Sequence, residues 1–238
     1  MIPWGPLIAA LIVLGQTRGW TGIKLLFSDM FRYRVGIRWY ALAFLLPIGV
    51  TFGAVYVNVA MGAPAPDTSI FATSELIALI PQLILTTFLA GPFTEEPAWR
   101  GFLLPRLQTR VSPWIASLII GLIWWSWHLP LMVSDPTGQR PPLAFLGMTL
   151  SLSFLFTWIY NNANSSLFPI ALLHGVTNTF AAFLFPSQFG ESYLRLWWIY
   201  NLLWATSAAA VIAWAGTRAN KNEELITESD QGLEAQNF

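Results

Sequence analysis

The stretch PWIASLIIGLIWWSWHLPLMV, residues 113–133, contains no Asp, Glu, Lys or Arg, and His128 is the one side chain in it that titrates near neutral pH. A bilayer core of ~30 Å is crossed by ~20 helical residues, so this run is long enough to span it. Working outward, further apolar runs fall at 2–16, 39–61, 75–91, 143–160, 168–186 and 194–216. The first and third are short. No alternation of apolar and polar residues persists long enough for a transmembrane barrel. The reading is all-α: a polytopic transmembrane helix bundle of about seven to eight spans.

Composition supports this independently. Hydrophobic residues make up 55% of the 238 positions and charged residues 10%, and the mean hydropathy is +0.55. A soluble domain carries ~25% charged residues because its surface faces water. Here lipid must cover most of that surface, and 13 Trp and 17 Phe suit bilayer interfaces and helix packing. Twelve basic and twelve acidic residues balance, so there is no basic field for nucleic acid. With no cysteine, disulfides, thiolate metal sites and a cysteine nucleophile are all excluded. The N-terminal residues lack a basic region ahead of the first apolar run and are expected to form a membrane segment, not a removable leader.

The connecting segments sort by charge. One set holds Arg18, Lys24, Arg32, Arg34, Arg38, Arg106, Arg110, Arg218 and Lys221; the other holds Asp67, Asp135, Arg140, Glu191 and Arg195. The positive-inside rule then puts the C-terminus in the cytoplasm. Between Thr17 and Arg38, apolar residues recur at helical spacing among the basic ones, as in a helix lying in the interface. Residues 1–219 read as a single integral membrane domain. From Asn220 to the end, acidic residues accumulate with almost no aromatics, and residues 220–238 are expected to be a disordered acidic tail.

In so apolar a chain the informative residues are the ionisable ones within or beside the membrane runs, since each normally faces a cavity and a partner. Three places qualify. Glu95-Glu96-Pro97-Ala98-Trp99-Arg100 follows the run 75–91; Thr94 is expected to cap a helix there, with both glutamates in its first turn. Glu96 and Arg100 are i,i+4 neighbours and should pair, leaving Glu95 to face another side. His128 sits among Trp124, Trp125 and Trp127. His174 and Asn178 lie one turn apart in an otherwise apolar run. Taken singly, each has a structural reading: an interfacial ion pair, an anchor at a helix end, and helix–helix hydrogen bonding.

Together, Glu-Glu-x-x-x-Arg, aromatic-x-x-x-His and His-x-x-x-Asn on separate helices resemble the signature of the CAAX-prenyl-protease and bacteriocin-processing (CPBP, or Abi) family of intramembrane endopeptidases. Arg100-Gly101-Phe102-Leu103 and Ser166-Leu167-Phe168-Pro169-Ile170 agree with it, over residues 75–186. Trp124 stands where Phe is more usual, and Pro97 falls inside the first motif. The resemblance implies peptide-bond hydrolysis with Glu95 as general base, His128 positioning the water, and His174 with Asn178 as the oxyanion hole. Glu96, Arg100 and Trp124 would support them.

Two mechanistic forms follow. No cofactor is required in the preferred one. In the other, Glu95, His128 and His174 would bind zinc, which needs three protein ligands and an open site. Ser126 as a nucleophile is disfavoured, since no Asp lies in the apolar runs to orient an imidazole. The alternative from another class is a non-catalytic membrane regulator that retains the family fold. Partners are the lipid bilayer and a protein or peptide substrate, lipidated or not, with no nucleic acid. The expected location is the cell membrane of a prokaryote. Straight spans would put His128 near the outer end, and Glu95 and His174 near the cytoplasmic face. Convergence therefore requires bends, for which Gly91, Pro92, Pro97, Pro105 and Pro130 are available.

Overall fold

The computed structural model describes residues 4–66, 73–89, 91–134 and 141–235; of residues 73–76, 78 and 215–235 only the backbone is described. Asp67, Asp135 and Arg140, on which part of the charge sorting rested, lie outside the described residues, as do the side chains of Arg218, Lys221 and the acidic segment from Asn220.

The described residues form helices throughout. In order they are α1 (Gly5–Met30), α2 (Ile37–Ala60), α3 (Thr73–Phe88), α4 (Pro92–Glu96), a π-helical segment (Pro97–Leu103), α5 (Leu104–Gln108), α6 (Pro113–Val133), α7 (Pro142–Asn162), α8 (Phe168–Leu184) continued by a short 3-10 turn, and α9 (Gly190–Ala235). Among the described residues five helices are long and apolar enough to cross a bilayer: α2, α6, α7, α8 with its 3-10 turn, and the first 25 residues of α9. The two short runs seen in the sequence correspond to α1 and α3. They bring the bundle to seven rods, and α4–α5 adds an eighth segment. The backbone of α9 extends through Ala235.

The first run and the helix expected after it are both present within α1: two helical stretches meet at a kink at Gly19, whose φ of 58° and ψ of −156° suit glycine far better than a residue with a Cβ. Past the bend, Gly22, Leu26 and Met30 face the protein, while Trp20, Leu25 and Phe31 stay exposed. The helix expected to be capped by Thr94 begins earlier and lies buried. α3 stops at Phe88, the chain turns at Gly91 (φ 156°), and a second helical segment begins at Pro92. Every residue from 91 to 100 is buried. Gly91, not Thr94, precedes this helix; the Thr94 hydroxyl donates back to the Gly91 carbonyl at 2.8 Å.

α7 is the most enclosed span, flanked by α6 and α9, while α8 packs on α2 and α3. Between lipid-solvated helices, close backbone approach substitutes for hydrophobic driving force. A Cβ built on Gly121 of α6 would stand 3.0 Å from the Leu150 Cα of α7. One on Gly175 of α8 would stand 2.0 Å from Thr87 Oγ1 and 3.2 Å from Thr87 Cα of α3. α3 exposes most of its apolar side chains and buries Thr86 and Thr87, so Gly175 is its docking point.

Gly175→Val should therefore lower the detergent-solubilised unfolding midpoint, with a cost in the ~1–3 kcal/mol range of overpacked cores. Thr87→Ala in the same chain should recover part of the loss. A Gly175→Val protein as stable as the parent would show that α3 does not need this contact.

Candidate active site

The site is assembled on α4, the π-helical segment, α6, α7 and α8. Pro97 has no N–H to continue the ladder of α4, and the chain widens there into seven residues of π-helix. Such wide turns recur at functional sites because they re-aim side chains relative to a regular helix. Here the widened turn carries Arg100 into the protein interior while it remains opposite Glu96.

Glu96 and Arg100 are both fully buried. Arg100 Nη1 donates to Glu96 Oε1 at 3.2 Å; it also lies 3.1 Å from Oε2, though without hydrogen-bond geometry to that atom. Arg100 Nη2 donates to the Ser153 hydroxyl of α7 at 3.0 Å. Its guanidinium carbon sits 4.7 Å from the Trp124 ring centre and 4.8 Å from the Phe156 ring centre, so two adjacent aromatic rings contact the cation. His174 of α8 donates from Nδ1 to Glu96 Oε1 at 2.9 Å. One carboxylate thereby ties together the π-helical segment and α8.

Glu95 points elsewhere, as adjacent helical positions must. It is 3% exposed, and among the described residues its one hydrogen-bond donor is the Trp124 indole, Nε1 to Oε2 at 2.7 Å. The same Trp124 offers its carbonyl to His128 Nδ1 at 2.8 Å. Its ring lies 5.2 Å from that of His174 and 6.1 Å from that of His128. Trp124 is thus the junction through which both histidines and Glu95 meet; of the bends anticipated, the turn at Gly91 and the widening at Pro97 are present, while α6 continues through Pro130. His128 is half-buried, and Asn178, one turn beyond His174, is also half-buried. No hydrogen bond draws Asn178 into this network.

The hydrogen bonds determine what each imidazole can do. A carbonyl and a carboxylate only accept, so both Nδ1 atoms carry hydrogen. Among the described residues no three His, Asp or Glu side chains are grouped so as to hold a metal ion, and Glu95, His128 and His174 do not form such a set. Sequence reasoning missed Ser153 and Phe156. Nothing distinguishes that serine from Ser151 in the run LSLSF except the face of α7 that it occupies.

A helical membrane bundle with a buried, carboxylate-and-imidazole site enclosed by apolar helices is the class these observations define. Residues 77–180, which carry every site side chain described above, match the family described as Type II CAAX prenyl endopeptidase Rce1-like. Over 187 residues the chain is 22% identical to a CAAX prenyl protease 2 of Methanococcus maripaludis, covering 73% of this chain and 67% of that protein. The family matched is the one that the three motifs resemble.

Removing Glu96 should be chiefly a stability lesion. Glu96→Gln strands Arg100 in an apolar interior, where breaking a buried pair costs ~3–5 kcal/mol. Ser153→Ala leaves one guanidinium nitrogen unpaired and should cost ~1–3 kcal/mol. Unfolding midpoints in detergent would check the order; Ser153→Ala proving the more damaging would show that Glu96 is not the principal partner of Arg100.

Proposed function

We propose that this chain is an intramembrane endopeptidase that hydrolyses a peptide bond in a membrane-associated protein or peptide by activating water, without a metal cofactor. The observation that carries the reading is the division between the two glutamates. Glu96 is committed to Arg100 and His174, whereas Glu95 accepts a single indole hydrogen bond. A carboxylate enclosed by apolar surface and sparsely hydrogen-bonded is suited to take a proton.

In this mechanism Glu95 removes a proton from water, and His128 Nε2 accepts the water's other hydrogen and orients it. The hydroxide oxygen bonds to the scissile carbonyl carbon, whose π electrons move to oxygen. The oxyanion is met by the Asn178 amide and by His174 Nε2. For Nε2 to donate, the His174 ring must carry both protons, and Glu96 is the counter-charge across the other nitrogen. Collapse of the tetrahedral intermediate breaks the C–N bond, and Glu95 passes its proton to the leaving amine. Fixed donors meet the developing charge, so no step needs a Lewis acid.

The relative's printed name concerns prenylated CAAX substrates; for this chain a lipidated C-terminus is the first substrate class to try. The basic segments around Arg32, Arg34, Arg38, Arg106 and Arg110 place their shared face in the cytoplasm by the positive-inside rule, in the cell membrane of a prokaryote.

Purified protein, chelator-treated and metal-free by elemental analysis, should cleave a prenylated peptide. Glu95→Gln should reduce turnover at least ~10³-fold while leaving the unfolding midpoint close to the parent. Asn178→Ala should lower kcat by ~10²–10³ with little change in KM, as for loss of one oxyanion donor. Activity lost on chelation and restored by stoichiometric zinc would decide for the metal form. No cleavage across a broad panel of lipidated and unlipidated peptides would favour a regulator that retains the fold.

A further inference from the structure

Arg18 and Arg106 stand against each other at one end of the bundle, and the path of α1 brings them there. Phe31, just past α1, has its ring centroid 5.9 Å from that of Phe93. A Cβ on Gly101 of the π-helical segment would stand 2.5 Å from Leu26 Cδ1. Residue numbers fall along α1 as they rise along its neighbour, so the two run antiparallel. One turn further along this seam, the buried Gly22 comes opposite α5. Arg18 covers Gly22: a Cβ there would stand 2.7 Å from Arg18 Cβ and 3.6 Å from its Cδ. On the other side Arg106 is held by its own segment. Its Nη1 donates to the Phe102 carbonyl at 2.8 Å, and its guanidinium carbon lies 3.8 Å from the Phe102 ring centre. Of the described charges, Arg18 is the one that bears on Arg106, and it repels.

Two guanidinium groups facing each other attract an anion, and the described acidic side chains do not supply one. Asp29 is paired with Arg32, Glu95 and Glu96 lie in the site, and Glu191 opens α9. A guanidinium fork matches phosphate, with two N–H groups to two oxygens. Arg18 follows the apolar run 2–16, and Arg106 precedes the span that opens at Pro113, so the pair lies at a membrane face. Past the kink at Gly19, Trp20 is 66% exposed and Leu25 56%, with Lys24 exposed between them. A soluble phosphate would gain the cations alone; a phospholipid would gain them and also cover these apolar side chains. An anionic headgroup is favoured over a zwitterionic one, whose ammonium the pair repels.

We propose that Arg18 and Arg106 together bind the phosphate of an anionic phospholipid. The bound headgroup bridges α1 at its kink to α5, and so fastens α1 along the π-helical segment that carries Arg100. The reading does not rest on proteolysis, because binding is measured without substrate.

Native mass spectrometry of the full chain in a maltoside detergent, titrated with dihexanoyl lipids, tests this. Phosphatidylglycerol should add one per chain and saturate at concentrations where phosphatidylcholine does not. Glycerol 3-phosphate, a phosphate without acyl chains, should not displace it at the same concentration. Arg18→Gln and Arg106→Gln should each weaken the binding about tenfold, as loss of one charge-assisted contact would. Arg34→Gln removes the same charge from the segment after α1, outside the pair, and should leave the affinity unchanged. An equal loss in all three variants would show a diffuse basic field in place of a site and overturn the proposal. So would equal binding of phosphatidylcholine, equal displacement by glycerol 3-phosphate, no saturable binding, or an affinity that either Arg18→Gln or Arg106→Gln leaves unchanged. Binding that appears only once residues 220–238 are removed would give the pair to the chain's own acidic segment, and would equally overturn it.

Discussion

The buried ion pair between Glu96 and Arg100 is the constraint on which the rest of the site depends. Two charges removed from water are expensive, and their attraction offsets that only when the remaining hydrogen-bonding capacity is also met. Here that requirement is met in part, since Arg100 Nε and Glu96 Oε2 have no hydrogen-bond partner among the described residues. Ser153 of α7 and His174 of α8 are held by the pair directly, and the rings of Trp124 on α6 and Phe156 on α7 cover the guanidinium. Apolar helices in lipid have weak reasons to choose one rotation over another, and the pair supplies a strong one.

The consequence for chemistry is a contrast between two imidazoles of identical type. His128 donates from Nδ1 to a backbone carbonyl, a neutral acceptor. His174 donates from Nδ1 to a carboxylate. The proposed mechanism uses this difference, giving the water to His128 and the oxyanion to His174. Trp124 contributes to both arms, with its carbonyl to His128 and its N–H to Glu95. An indole can do so where a phenyl ring could not, so the departure from the usual Phe at this position adds a hydrogen bond to the carboxylate that would act as base.

Much of this was legible in the chain. Spans as apolar as residues 113–133 declare themselves, and the spacing of Glu96 and Arg100 implies their pairing. What could not be read were features in which backbone geometry overrides periodicity. The run 75–91 ends where the structure breaks, but hydropathy does not show that Gly91 turns the chain into a buried helix that carries Glu95 inward. Pro97 looked like a first-turn residue because a helix start tolerates it; in fact it opens a π-helical segment midway along a continuous path. Ser153 was invisible because one hydroxyl in an apolar helix carries no signal until the helix is rotated into place.

These points bear on why a charged pair should persist where apolar residues would pack. A volume-matched hydrophobic replacement of a buried pair is often neutral or stabilising, so stability alone does not explain Glu96 and Arg100. Such a replacement would leave His174 Nδ1 without its acceptor and free the ring to rotate or change tautomer. It would also remove the cation against which Trp124 and Phe156 pack, loosening the indole that orients Glu95. The pair is better understood as the element that holds reactive side chains in one geometry, at an energetic cost that the helices around it must offset through contacts such as Gly121 against Leu150 and Gly175 against Thr87.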